Sequence, residues 1–199
     1  MLLATNLVQA QVYSNMERMF FEKVNDGRKK AHRSGIELSE LFHDRVYNHN
    51  LNTAHCKKDS VGGTRYPYIE VNGSIQKIHA ATCSHNELPS DIDSIKCVQF
   101  YDRYKESNSF GEIVCSIPLV IGIDKTDDES IVDLVIKSFD SSPSHHKEMR
   151  GLYPYSKKLT NCSVSIYKVV VHEFLFVYVS VVFFEPFTMK DVKKKNRLL

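Results

Sequence analysis

Tryptophan is absent from this 199-residue chain, glycine occurs only eight times, and neither sign of charge dominates, the formal net charge being +2. So small a net charge argues against a nucleic-acid partner or an anionic membrane surface. The sequence has no Walker loop, no Gly-x-Gly-x-x-Gly, no His-Glu-x-x-His and no Cys-x-x-Cys. Those absences leave out the nucleotide-binding loops, the zincin proteases and thioredoxin-like redox chemistry. The most apolar stretch, 163–184, is interrupted by Lys168, His172 and Glu173. A membrane helix needs about 20 predominantly apolar residues, and the valine and aromatic content favours strands, so this stretch predicts a hairpin and not a transmembrane span.

An apolar fraction of 42% with 11% aromatics predicts a folded domain with a core. Cys56, Cys83, Cys97, Cys115 and Cys162 have no zinc-ribbon spacing, and an odd number allows bridges with a thiol left over. This usage points to an exported protein, in which at least one disulfide is expected. Residues 1–11 lack a basic n-region and a full apolar h-region, and read either as a signal-peptide stub or as an ordinary leader strand. Asn72-Gly-Ser and Asn161-Cys-Ser match the glycosylation pattern.

Ser14-Asn-Met-Glu17 is a capping box opening a helix whose buried stripe is Tyr13, Met16, Met19, Phe20 and Val24. That helix is expected to run to near Gly35, with Arg28, Lys29, Lys30, His32 and Arg33 on a solvated face. A second helix starts near Ser39, with His43, His49 and His55 as exposed polar residues. Asn72-Gly73 between short apolar runs signals a hairpin. Residues 57–66 and 84–94 read as loops, and 98–104 as a short helix. Gly111 begins a strand-like run, Asp127-Asp-Glu129 opens a third helix, and the tail from Lys190 is charged and frayed. Helices first, then a helix pair, then a hairpin predict an α+β fold, with helices covering an antiparallel sheet centred on 163–184.

The stretch Ser138–Met149 carries the most chemistry. Ser142-Pro143 reads as an N-cap followed by the first helical position, which puts His145 in the first turn. Exposed amide hydrogens there disfavour an extra proton, and a neutral imidazole can accept a proton or bind a metal. The alternative is a surface helix that merely begins with polar residues.

Several segments, taken in order, resemble the CAP superfamily of cysteine-rich secretory, antigen-five and pathogenesis-related proteins. They are Asn25-Asp-Gly-Arg28, Cys83-Ser-His85, Asp102-Arg103, Phe110-Gly-Glu-Ile113 and Ser142-Pro-Ser-His-His146, followed by the closing valine-rich strands. The resemblance covers roughly residues 13–187, taken as one domain, with 188–199 as a charged tail. It implies a three-layer α-β-α sandwich with a central antiparallel sheet. It also implies a cleft holding His85, Glu112 and His145, with a further acid from among Glu129, Asp133 and Asp140. The sequence departs from the family pattern at Ile113 and His146, and in having Phe139 where a tryptophan is usual.

Two imidazoles and a carboxylate can hold Zn2+ or another divalent cation with one position left open, or can hydrogen-bond one another without metal. No motif sets a serine or cysteine nucleophile beside His145. The resemblance implies a secreted, non-catalytic domain that binds a sterol, another lipid or an extracellular protein partner through this cleft. The alternatives are a metal-dependent hydrolase or protease using the same residues, and a structural surface protein with a vestigial cleft.

Overall fold

The structure, a computed structural model, describes residues 13–55, 68–71, 74–77 and 110–186. Helix α1 (Asn15–Lys30) begins with the expected capping box. The Ser14 hydroxyl accepts from the Glu17 amide at 3.3 Å, and Glu17 Oε2 accepts from the Ser14 amide at 2.7 Å. The other oxygen of Glu17 accepts from the Ile166 amide at 3.0 Å, so one carboxylate both caps the helix and fastens it to a strand. Tyr13, Met16, Phe20 and Val24 are buried, as their spacing predicts.

The helix stops at Lys30, earlier than Gly35, and Asn25 directs the chain beyond it. Its side-chain amide donates to the Ile36 carbonyl at 3.0 Å, and its oxygen accepts from the Ile36 amide at 2.8 Å. This two-point clamp delivers the chain into strand β1 (Glu37–Leu38). A short 3-10 turn (Glu40–Phe42) then leads into α2 (His43–His55). Strands β2 (Tyr68–Val71) and β3 (Ser74–Lys77) pair antiparallel with Val71 opposite Ser74, the hairpin that Asn72-Gly73 signals.

The remaining elements are β4 (Phe110–Val120), α3 (Asp128–Ser141), α4 (Pro143–Met149), a 3-10 turn (Pro154–Lys158), β5 (Asn161–Val171) and β6 (Phe174–Phe184). Asp127 caps α3 by accepting from the Ser130 amide at 2.9 Å. The 163–184 region is the β5–β6 hairpin, and no helix among the described residues is long and apolar enough to cross a membrane.

The four-stranded sheet has the order β1-β5-β6-β4. β5, β6 and β4 are antiparallel neighbours, whereas β1 lies parallel to β5. The centre of the sheet is therefore antiparallel, as expected, and the short parallel β1 at its edge makes the sheet mixed.

Side chains alternate across the sheet. Ile113, Val164, Val179, Val181 and Phe183 face one side and pack with Phe20, Val24, Val135 and Phe139 of α1 and α3. Val182 and Phe184 face the other side, where Phe42 and Val46 cover them. The result is an α+β fold in three layers, with α1, α3 and α4 on one face and α2 on the other. Full burial of a Val or Phe side chain is worth about 1.5–3 kcal/mol, so both faces contribute to holding the sheet.

Candidate functional site

Strand β4 forms the edge of the sheet, and α4 packs against it. These two elements carry Glu112 and His145, and both residues are half-buried. Glu112 is in register with Val182, so its carboxylate leaves the sheet on the α2 side. His145 stands in the first turn of α4, with its ring edge-on to Phe139 at a centroid distance of 5.5 Å. Ser142 ends α3 and begins α4 with Pro143 in the first turn, as expected, although its hydroxyl makes no capping bond. His85 lies outside the described residues, as do Cys83, Asp102 and Arg103. Among the described residues, no three of His, Cys, Asp and Glu stand close enough to hold a metal ion. Glu112 and His145 thus stand on neighbouring elements, Glu112 directed to the α2 face of the sheet and α4 packed on the other.

The candidate acids on α3 have separate surroundings. Glu129 is exposed, and Asp133 is exposed with Lys23 Nζ at 2.5 Å. Asp140 is half-buried. It accepts from Arg150 Nη2 at 2.6 Å and Nε at 3.3 Å, and lies 2.8 Å from His146 Nδ1.

Beside the edge strand sits a buried carboxylate that the sequence reading missed, Glu148, 5% exposed. It lies one turn along α4 from His145, and its carboxyl occupies the space over Gly111. A Cβ at Gly111 would fall 1.9 Å from Glu148 Oε1, which is a physical reason for glycine before Glu112. Glu148 Oε2 accepts from the Tyr155 hydroxyl at 2.5 Å. Burial raises the Glu148 carboxyl above the ordinary glutamate range, while Tyr155 and the nearby Arg28 charge oppose the shift. The signals available in the sequence were the helical offset from His145 and the glycine at 111.

Arg28 belongs to the same buried group. Expected on a solvated face, it is 2% exposed. Its Nε donates to the Ser34 carbonyl at 3.0 Å and its Nη2 to the Leu159 carbonyl at 3.5 Å. The guanidinium lies over Gly151, whose φ of +67° and lack of a side chain both suit the spot. Cys162, also buried and in no disulfide, has its thiol pushed up to about 12 by burial, with Arg28 opposing. Its burial among apolar side chains makes it a packing residue. Cys56, Cys83 and Cys97 lie outside the described residues.

The α2 histidines are also corrected. His43 and His49 are buried, not exposed. The His43 ring meets Tyr13 edge-on at 4.7 Å and stacks over Tyr47 at 6.3 Å. On the same helix, the buried Asn50 donates to the Ser165 carbonyl at 2.9 Å and accepts from the Ser180 hydroxyl at 2.6 Å. Polar residues on this helix serve packing against a sheet face that carries serines.

The sequence matches no family model and no curated protein. Among solved structures, a cysteine-rich secretory protein of Staphylococcus aureus subsp. aureus Mu50 is similar at 14% identity and a TM-score of 0.42, over 86% of this chain. The match takes in 38% of that protein's length. The α+β assignment rests on the sheet order and helix placement described above.

Proposed function

We propose that this chain is an exported domain of the CAP type that binds rather than catalyses, holding an apolar ligand such as a sterol or another lipid in a cleft lined by His85, Glu112 and His145. The observation that carries this reading is the seat of His145, whose imidazole stands edge-on against Phe139 on a helix that packs against β4, the strand carrying Glu112. A few polar groups set against an apolar wall suit a ligand with an apolar body and a polar end. An extracellular protein partner inserting an apolar side chain would use the same features.

A second reading, a metal-dependent hydrolase or protease, is supported by the donor chemistry. Glu112 would serve as ligand or general base beside His85 and His145, and a bound Zn2+ would supply an activated water.

Solvent extraction of the purified full chain, followed by mass spectrometry, separates these readings. The binding reading expects an apolar molecule retained in near-stoichiometric amount, lost in the Glu112→Gln, His145→Ala double variant. Peptide or ester hydrolysis abolished by chelator, with nothing retained, would replace it by the hydrolase. Neither result would leave a structural protein with a vestigial cleft.

A further inference from the structure

On the opposite side of α4 from Glu148, an open cleft of about 540 Å³ runs between α1 and α4. Helix α1 presents Lys23, Asp26 and Lys30 to it at helical spacing, and α4 presents His146 with Arg150 following one turn later. Gly27 makes the close approach possible, since a Cβ there would fall 1.2 Å from Arg150 Nη1. Ile136 and Leu152 supply an apolar floor.

The cations of this cleft are positioned. Asp140 accepts two hydrogen bonds from Arg150 and holds His146 through Nδ1. With Nδ1–H directed at the carboxylate, Nε2 is the nitrogen left for a ligand. Lys23 is held by Asp133 at 2.5 Å, with two ammonium hydrogens remaining. Lys30 is exposed and pairs with no carboxylate among the described residues. The charges of Lys23, Lys30 and Arg150 are formally balanced by Asp26, Asp133 and Asp140. Selectivity therefore has to come from placed donors and not from a strong net field.

We infer that this cleft is a second binding site, distinct from the one proposed above, and that it takes a phosphate-class oxyanion. Lys30 and Lys23 donate to anionic oxygens from the α1 wall. With Nδ1 engaged by Asp140, His146 Nε2 can accept from a P–OH, and phosphate near pH 7 carries that group together with anionic oxygens. Arg150 lies behind them as a fixed charge. The phosphate can be free or carried on a lipid headgroup.

Calorimetric titration of the full chain with pyrophosphate at constant ionic strength tests the site. Lys30→Glu should weaken binding by about tenfold or more, the scale of one charge-assisted hydrogen bond. Lys29→Glu makes the same charge change one position away, off the cleft wall, and should weaken it by less than about threefold, as an exposed charge does. A parallel co-sedimentation with phosphatidic acid vesicles identifies a lipid source if the Lys30 dependence appears there and not with pyrophosphate. Equal losses for the two variants, or no wild-type binding in either format, would overturn the inference.

Discussion

Arg28→Ala is expected to lower the unfolding free energy by about 3–5 kcal/mol, the scale for removing one member of a buried charged set. The guanidinium is 2% exposed and reaches the carbonyls of Ser34 and Leu159, so its loss frees two acceptors in a closed space. Glu148 would also lose the positive charge that opposes its raised pKa. The sign of the pH effect follows. Because the folded carboxyl holds its proton more tightly than the unfolded one, its contribution is fully present below the ordinary glutamate range. It is lost as pH rises through the folded value. Removing Arg28 should widen that loss, and Glu148→Gln in the Arg28→Ala background should restore part of it near pH 7. Urea unfolding of the single and double variants at about pH 3 and pH 7, either side of the ordinary glutamate range, measures both effects. A loss below about 1 kcal/mol, or strict additivity of the two changes, would mean that Arg28 and Glu148 do not act as one group.

His145→Ala should weaken zinc binding by at least about tenfold, since even outer-shell losses cost 10–100-fold. The fold should survive, because the ring touches Phe139 only edge-on and Phe139 itself is locked in the core by Phe20 at 6.1 Å. His146→Ala is the internal control. His146 faces the cleft between α1 and α4 and lies outside the proposed trio, so zinc affinity should stay within about threefold. Calorimetry on the three proteins reads the result. Equal losses in both variants, or no zinc binding by the wild type, would leave His145 in a hydrogen-bonded cluster and remove the hydrolase reading.

What was legible in the sequence is local. The capping box at Ser14, the acid cap at Asp127 and the Ser142-Pro143 helix start are signals made by a few adjacent residues, and each stands where it was expected. The closing hairpin was legible because its valines and aromatics are bounded by His172-Glu173. What was hidden depends on distant partners. Arg28 sits in a basic run that reads as solvated, and it is buried because Leu159 and Gly151 come to meet it from far along the chain. Glu148 looks like one more polar helix residue until Gly111 and Tyr155 enclose it. Strand β1 is only two residues long, too short to leave a period, so the parallel pairing that makes the sheet mixed left no signal.

The proposed cleft requires His85, Glu112 and His145 to converge from three separate segments. A crystal of the full chain soaked in zinc, with anomalous density examined at the rim where α4 meets β4, tests all three positions at once. The expected result is the two imidazoles and the Glu112 carboxylate around one cleft, with a zinc peak or an ordered water between them. Finding no zinc peak or ordered water shared by Glu112 and His145 across the β4 edge, with His85 near neither, would contradict it.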